Sequence, residues 1–176
     1  MSEEQELLQL ASRLNSTALA EIYDIHSPGL YRYAMRLLGD AILAEDCVAE
    51  TFVRFLLALQ KRRGPSDHLQ AYLYRIAHNW IVDLYRNHEQ TCELSETLRS
   101  EADVPEEEAA KRIRQKQVRN AIRRLTPDQQ KVIALKYLDE WSNEQVAHVL
   151  RKPVGAVKSI QHRALKSLQK LLADKS

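Results

Sequence analysis

The stretch that decides the fold is residues 126–172, which read TPDQQKVIALKYLDEWSNEQVAHVLRKPVGAVKSIQHRALKSLQKLL. Thr126 and Gln129 have the spacing of a capping box, in which each side chain accepts a hydrogen bond from the backbone of the other, so a helix should begin there. Ser142 and Gln145 repeat this spacing, and the proline of KPVGAV then suits the start of a third helix. The stretch therefore predicts three helices in succession, of which the last two form a helix-turn-helix.

The last helix of this stretch has two different faces. One face is apolar, with residues spaced by three or four as in a buried stripe. Its members are Val154, Val157, Ile160, Ala164, Leu168 and Leu171. At about 100° per residue, the opposite face is polar and basic, and its members are Gly155, Lys158, Ser159, His162, Arg163 and Lys166. Such a face on the second helix of a helix-turn-helix is typical of entry into a DNA major groove. The alternative is an ordinary three-helix bundle with a solvated charged face.

The composition indicates an all-helical protein that does not enter a membrane. The 176 residues include only four Gly and five Pro, and no sustained apolar/polar alternation is present. No apolar run approaches the roughly 20 residues of a membrane span, and the acidic N-terminus MSEEQELLQL lacks a signal-peptide pattern. We therefore expect a cytoplasmic protein. Cys47 and Cys92 are too few for a disulfide framework or a thiolate metal site, and we expect Cys47 to be a small buried residue.

The net charge of +2 conceals a sharp partition along the chain. Residues 1–87 are close to neutral, whereas residues 88–110 carry one basic and eight acidic side chains. Residues 111–176 carry 16 basic against five acidic side chains, which is the electrostatic footprint of a nucleic-acid binder. We therefore predict two small helical domains, at 1–87 and 111–176, joined by a flexible acidic linker. That linker could extend over roughly 70 Å, so the two domains need not touch.

The N-terminal domain should contain helices over residues 4–38 and 41–60. In the first range, Ser27-Pro28-Gly29 interrupts the apolar pattern, and Gly39-Asp40 marks a stop followed by a cap. The second range carries an acidic cluster of Glu45, Asp46 and Glu50. This cluster is either a solvated face or a docking patch for a basic partner. A metal site would need further ligands that the stretch does not offer.

A basic loop, residues 61–67, ends in a cap and leads into a helix from His68 to about Arg86. One side of this helix should be core, Trp80 included: Leu69, Leu73, Ile76, Ala77, Trp80 and Leu84. A second stripe combines an aromatic ring, hydrogen-bonding groups and positive charge, as a nucleic-acid surface would. It consists of Tyr72, Arg75, Asn79, Asp83 and Arg86. The alternative is a polar face with one stray tyrosine.

Four stretches, taken in order, resemble one family. LYRYAMRLLGD resembles the start of a conserved N-terminal domain, AEDCVAETFVRFL a core-polymerase-binding helix, and HLQAYLYRIAHNWIVDLYRN the helix that reads and opens the minus-10 promoter element. RRLTPDQQKVIALKYLDEWSNEQVAHVL followed by PVGAVKSIQHRALKSL resembles the domain that reads the minus-35 element. On these stretches the chain is similar to bacterial RNA polymerase sigma factors of the small extracytoplasmic-function (ECF) group of the sigma-70 family.

The resemblance implies roles for the surfaces singled out above. A basic coiled coil of the largest polymerase subunit would be contacted by Glu45, Asp46 and Glu50. An unstacked base of the non-template strand would be captured by a loop containing Arg62, Arg63, Ser66 and Asp67. The minus-10 DNA would face Tyr72, Arg75, Asn79 and Asp83. The minus-35 major groove would be contacted by Lys158, Ser159, His162 and Arg163, and nearby phosphates by Arg124 and Lys131.

The resemblance also implies the partners. They are core RNA polymerase, through its largest and second-largest subunits, promoter DNA in duplex and single-stranded form, and an anti-sigma protein clamped on both domains. The acidic linker would run toward the active-site and RNA-exit channels of the polymerase. The polymerase supplies the chemistry, so no catalytic residue, cofactor or metal is implied for this chain.

Three positions depart from the family pattern. Ala49 stands where the family often has Gln, which removes one expected polymerase contact. Arg151 follows Leu150 where the turn usually has Gly, and a non-Gly residue at positive φ costs on the order of 1 kcal/mol. Ile160 and Gln161 replace a more usual basic-then-apolar pair, which affects how this helix packs locally.

Two other classes of function compete with this interpretation. A free-standing helix-turn-helix regulator would normally dimerise to read two half-sites, but the chain shows no extended heptad zipper and no ligand domain. An enzyme is the other class. The six His have no metal-ligand spacing, and neither a Gly-rich phosphate loop nor a nucleophile signature is present. Asp46 with Glu50 would be a poor nuclease site.

Overall fold

The computed structural model describes residues 1–91 and 104–174. Within these ranges the chain is all-α, as predicted, and no strand is present. Its helices are α1 (Glu3–Ser12), α2 (Ser16–Leu38), α3 (Ala41–Gln60), α4 (Leu69–Thr91), α5 (Glu106–Arg123), α6 (Pro127–Ile133), α7 (Asn143–Leu150) and α8 (Val154–Ala173). A π-helical turn, Ala134–Leu138, continues α6. We call α1–α4 the N-terminal unit and α5–α8 the C-terminal unit.

The second helix runs unbroken through Pro28, so the predicted interruption is wrong. A proline inside a helix removes one backbone hydrogen bond and costs about 3 kcal/mol. Here the cost is offset because both halves of the helix are buried, with Ile22 before the proline and Leu30 and Tyr33 after it. The predicted stop is confirmed: Gly39 ends α2 in the left-handed conformation at φ 66°.

The cap that follows is also confirmed, because Asp40 accepts a hydrogen bond from the backbone N–H of Leu43 and so starts α3. The core of the N-terminal unit lies between α2, α3 and α4, around Phe55 and Leu73. Cys47 is fully buried, as predicted, and burial raises the pKa of its thiol to about 12. It is therefore a packing residue that is not available for chemistry.

The start of α4 differs from the prediction. Residue 67 was expected to cap the helix, but the backbone N–H of Leu69 donates to Glu4 Oε1 over 2.8 Å. His68, just before the helix, adopts a positive φ of 48°. A carboxylate at a helix N-terminus is favourable because the helix dipole is positive there. The first helix of the chain thus holds the first turn of α4.

Helical structure extends into the predicted linker, 88–110, from both sides. The fourth helix continues to Thr91, and the fifth begins at Glu106. Glu106, Glu107 and Glu108 fill the first turn of α5, where negative charge favours the helix. The central part of the predicted linker, residues 92–103, lies outside the described residues, and so does Cys92.

The C-terminal unit begins its helices as the sequence predicts. Thr126 with Gln129 and Ser142 with Gln145 both form complete capping boxes. Arg151 ends α7 at φ 54° and ψ 43°. This is the left-handed conformation, in which a residue other than glycine was expected to be strained. A three-residue turn then leads into α8.

The two units contact each other, so their separation, which the linker length allowed, is not what the structure shows. The fourth helix packs on α7, and α2 packs on the π-helical turn and on α5. We call this set of contacts the inter-unit interface. The exposed face of α8 remains outside it, and His162 and Arg163 are exposed.

Candidate nucleic-acid and polymerase interfaces

The polar face of α8 is open, as the sequence predicts. Lys158, Ser159, His162 and Arg163 are all exposed, while Val157, Ile160 and Ala164 on the opposite face are buried. The helix therefore has one anchored side and one free side. A β-carbon added at Gly155 would meet no atom within 4 Å, so the first turn also lies open.

Two hydrogen bonds order this open face. Arg163 Nε donates to the carbonyl of Ser159 over 3.4 Å, and this bond does not use the two outer guanidinium nitrogens. Gln161 Nε2 donates to the Tyr137 hydroxyl over 2.7 Å and so ties α8 to the π-helical turn. Tyr137 is half-exposed, so this hydrogen bond lies at the surface. Of the two residues that depart from the family pattern, Ile160 thus packs in the core and Gln161 makes a surface hydrogen bond.

The corresponding face of α4 is only partly open. Asn79, Asp83 and Arg86 are exposed, whereas Tyr72 and Arg75 are half-buried under the C-terminal unit. Arg75 Nε donates to the carbonyl of Val149 over 3.0 Å, and a terminal guanidinium nitrogen donates to the carbonyl of His148 over 3.2 Å. Burial and the nearby Arg151 lower the pKa of Arg75.

The basic loop before α4 faces the turn between α7 and α8. The two surfaces enclose an open cleft of about 660 Å³. The imidazole rings of His68 and His148 stack across it, with centroids 3.7 Å apart and planes inclined by 20°. The loop side chains expected to hold a base are all exposed: Arg62, Arg63, Ser66 and Asp67.

The two residues predicted to lie near phosphates differ from each other. Arg124 is exposed, as a phosphate contact requires. Lys131 is buried, with only 9% of its surface exposed, and its Nζ lies 4.0 Å from Asp128. Burial lowers the pKa of Lys131, and Asp128 opposes that shift. Arg75 and His78 of the N-terminal unit lie near this buried lysine.

The acidic cluster lies on the exposed face of α3. Glu45 and Asp46 are exposed, and Glu50 accepts a hydrogen bond from Arg54 over 3.0 Å. The sequence pattern missed the exposed apolar residues on this helix, which are Ile42, Val53, Leu56 and Leu57. An apolar surface beside carboxylates favours docking over simple solvation. No group of three metal-ligating side chains occurs among the described residues.

His78 was missed because it lies on the core side of α4 and resembles a packing residue. It is fully buried, and its Nδ1 lies 2.7 Å from the Tyr33 hydroxyl. Its Nε2 has no hydrogen-bond partner and faces α6, near Gln130 and the carbonyl of Pro127. Burial, together with the positive charge of Lys131, lowers the pKa of His78 to about 3, so the ring is neutral.

Each of the two helical units matches a known protein family. Residues 22–91 match the family described as Sigma-70 region 2, and residues 115–168 match Sigma-70, region 4. The chain therefore belongs to the sigma-70 family of RNA polymerase sigma factors, with region 2 in the N-terminal unit and region 4 in the C-terminal unit.

Similar proteins define the group within that family. The ECF RNA polymerase sigma factor SigL of Mycobacterium tuberculosis is 31% identical over 172 residues, which cover 93% of this chain and 97% of SigL. The ECF sigma factor BldN of Streptomyces coelicolor is 30% identical over 173 residues, or 96% of this chain and 66% of BldN. The chain is an ECF sigma factor. A free-standing helix-turn-helix regulator is not favoured.

A solved structure supports the same assignment. The structure of CnrH in complex with the cytosolic domain of CnrY superposes with a TM-score of 0.69 at 26% identity, covering 98% of both chains. The region 2 and region 4 matches imply binding to core RNA polymerase and to promoter DNA. Within residues 1–91 and 104–174, no helix is long and apolar enough to cross a membrane.

Proposed function

We propose that this sigma factor docks on core RNA polymerase through α3, reads the minus-10 element with α4 and the preceding loop, and reads the minus-35 element with α8. The observation that carries the proposal is that one face of α8 is buried while its opposite face is exposed. Its apolar side is buried in region 4 and its basic side is free. A helix held in this way can enter a major groove without rearranging its own domain.

The minus-35 contact assigns different tasks to the exposed side chains. Arg163 can reach base edges, because its outer guanidinium nitrogens are free and Arg pairs with guanine in a bidentate manner. Lys158 and the exposed Arg124 suit phosphate contacts, which set affinity and its salt dependence. The open first turn at Gly155 lets the sugar-phosphate backbone approach closely.

The minus-10 contact uses the exposed end of α4. Asn79 offers an amide that can both donate and accept, and Asp83 accepts from an exocyclic amino group of an unstacked base. The loop 62–67 lies beside the N-terminal end of the same helix, where it can hold a base that leaves the stack. Tyr72 and Arg75 would join this surface once region 4 no longer covers them.

The contact with the core polymerase combines charge and apolar area. Glu45 and Asp46 suit a basic partner surface, and the exposed Val53 and Leu57 supply area that binding would bury. Ala49 lies on this face and is exposed, so the shorter side chain leaves room without distorting the helix.

An anti-sigma protein is a further expected partner. CnrH is found with the cytosolic domain of CnrY, and this chain shares 26% identity with CnrH over nearly its full length. The chain would act in the cytoplasm, where RNA polymerase works. The polymerase would supply all the chemistry, and this chain would contribute recognition and strand capture.

The proposal is tested by transcription with purified core polymerase from the native host. The protein should produce a defined start site that core alone does not produce, and sequencing of the transcript ends identifies the promoter. Asp46→Lys should abolish this start by preventing docking. Glu21→Lys, which makes the same charge change at an exposed position of α2, is the matched control. If no start depends on the protein, the proposed function is wrong.

A further inference from the structure

We propose that the inter-unit interface is an autoinhibitory contact, in which region 4 occupies the minus-10 surface of region 2, and that acid opens it. The inference rests on the proposed role of α4 as the minus-10 surface. It concerns a state of this chain alone, held by its own residues, in which no inhibitor takes part.

The contact of Arg75 shows why the closed arrangement excludes minus-10 DNA. The guanidinium donates to the carbonyls of His148 and Val149, so two of its three nitrogens are already used within the chain. Tyr72, one helical turn away, is half-buried, with its ring 6.1 Å from that of Phe55, and it lines the cleft between the basic loop and region 4. DNA cannot pair with Arg75 until α7 moves away, and it can reach Tyr72 only through that cleft. Closure and minus-10 binding therefore exclude each other.

Contacts on the other side of the interface make the closure specific. Arg36 of α2 donates to the carbonyl of Leu138 and to the Asp139 carboxylate of region 4. Asp139 is largely buried in this contact, with 10% of its side chain exposed. The ring of Tyr74 lies 4.7 Å from that of Trp141, as expected for a packed aromatic pair.

The fifth helix provides a third contact. The guanidinium of Arg123 lies over the ring of Tyr85 at 4.7 Å, within the range of a cation–π interaction. A β-carbon at Gly39 would lie 2.6 Å from the guanidinium carbon of Arg119, so the glycine permits this close approach. Region 4 is thus held at three separate places, which fixes one orientation.

Like charges oppose these contacts at the centre of the interface. Arg75 of region 2 meets Arg151 of region 4, and burial together with the positive charge of Arg151 lowers the pKa of Arg75. Lys131 is buried near Arg75 with only Asp128 as a partial counter-charge. Burying like charges together is unfavourable. The closed state is therefore one that a modest change in charge can open.

His78 supplies the sensitivity to acid. The Tyr33 hydroxyl of α2 contacts the His78 ring, and Gln130 and the positively charged Lys131 of α6 lie on its other side. On α3, the Cys47 thiol donates to the backbone carbonyl of Ala77. Among the described residues that shift the pKa of His78, none is acidic. The groups that act on the ring from region 4 are Lys131, Gln130 and Pro127, so this side of the ring would reach water if region 4 moved away.

The sign of the pH effect follows from this burial. The pKa of His78 is about 3 in the closed state and would return toward its ordinary value of 6.5 once water reaches the ring. Between pH 6.5 and 3 the open state binds a proton that the closed state excludes. Closure therefore has its full stability above pH 6.5 and loses it as the pH falls through that window.

The stacked His68 and His148 lie in the same interface, with ring centroids 3.7 Å apart. The charged groups that line their cleft are Arg63, Asp67, Arg75, Glu144, Arg151 and Lys152. Positive groups outnumber negative ones in this set, so like charges are close together in this cleft as well.

The first test separates the units with Arg36→Glu. This change breaks the contact with Asp139 and makes the protein more negative, so simple charge attraction would weaken its binding to DNA. Autoinhibition predicts the opposite: a fluorescein-labelled oligo(dT) strand should bind about tenfold more tightly, because an open state of about 10% or less becomes dominant. Adding Asp139→Arg restores the ion pair in reverse and should return binding toward that of the wild type.

The conformation is measured directly in the same proteins. Fluorescent dyes at Gln60→Cys and Lys170→Cys, both exposed sites, report the distance between the units by energy transfer. A Cys92→Ser background prevents labelling elsewhere, since Cys47 is buried. Wild type at pH 7.5 should show high transfer, Arg36→Glu low transfer, and the charge-swapped double variant high transfer again.

The acid response is tested by lowering the pH from 7.5 to 5.5. Wild type should lose energy transfer and gain oligo(dT) affinity, whereas His78→Gln, which cannot take up a proton, should respond several-fold less. A histidine NMR titration provides a second measurement in case that variant does not fold. The His78 ring should stay neutral in the closed wild type and titrate near its ordinary value in Arg36→Glu.

These outcomes separate this inference from the proposed function. If Arg36→Glu changes neither energy transfer nor oligo(dT) binding while transcription depends on the protein, autoinhibition is wrong and the sigma-factor role stands. If the pH response is absent in wild type, the acid-sensing part is wrong. If transcription does not depend on the protein at all, the proposed function fails, whatever the two units do.

Discussion

The recognition faces of α4 and α8 have similar sequence patterns and different surroundings. Both helices carry polar and basic side chains opposite a buried stripe. On α8 every side chain expected to contact DNA is exposed, whereas on α4 the N-terminal half of the face is covered by α7. Arg163 bonds to its own helix, and Arg75 bonds to the other region. The comparison shows that a recognition pattern defines a face but not whether that face is available.

The largest expected effect distinguishes these two arginines. Arg163→Ala should weaken use of the minus-35 element by about 1–3 kcal/mol, because a bidentate base contact is lost. Arg75→Ala should have a smaller effect, since it removes a minus-10 contact and also frees region 4. Open-complex formation on promoters with and without the minus-35 element measures both. Gln169→Ala, exposed further along α8, is the control. Equal losses for the two arginines would remove the distinction between the faces.

Asn79→Ala tests the exposed part of α4. The side chain is exposed and makes no contact with region 4 that would compensate for its loss. We expect minus-10 use to fall by about 0.5–1.5 kcal/mol, the value of one ordinary hydrogen bond, while binding to core polymerase stays unchanged. Potassium permanganate footprinting of the melted strand and a core-binding assay measure the two quantities. Normal melting would show that Asn79 does not read the strand.

Arg151→Gly should stabilise the turn that presents α8. The residue sits at φ 54°, where a β-carbon costs about 1 kcal/mol. Removing it should raise the midpoint of thermal unfolding by about 2–4 °C. Arg151→Ala keeps the β-carbon and removes only the charge, so it serves as the control. If alanine stabilises as much as glycine, repulsion with Arg75 is the cause and the backbone conformation is not.

The smallest effect is expected at Gly155. An added β-carbon meets no protein atom, so Gly155→Ala should stabilise α8 by about 0.5–1 kcal/mol through backbone entropy. Any loss of minus-35 binding would then come from the DNA side, as a clash with the sugar-phosphate backbone. Thermal unfolding and binding to region-4 promoter fragments separate the two. Destabilisation would mean that the first turn of α8 packs against protein.

Local signals in the sequence predicted the helix boundaries well. The capping boxes at Thr126 and Ser142, the stop at Gly39 and the cap at Asp40 all act between residues three or four apart. The buried and exposed faces of α8 follow from its 3.6-residue period. These features depend on neighbours along the chain, so the sequence alone contains what is needed.

Features that depend on distant neighbours were missed. The α2 helix continues through Pro28 because of burial on both sides, which no local pattern reveals. Lys131 looks like a phosphate ligand and is covered by the other unit, and His78 looks like core and has one nitrogen at the boundary between units. The environments of Lys131 and His78 are decided by the contact between the two units. The length of the acidic linker had indicated only that the two units need not touch.

Trp141 has a practical consequence for anyone who studies this protein in solution. The residue is buried, with 8% of its surface exposed, and the phenol ring of Tyr74 is its aromatic neighbour. The second tryptophan, Trp80, lies elsewhere, on α4. Indole emission moves to longer wavelengths on contact with water. A fluorescence emission spectrum of the unlabelled protein would therefore report when the two units separate.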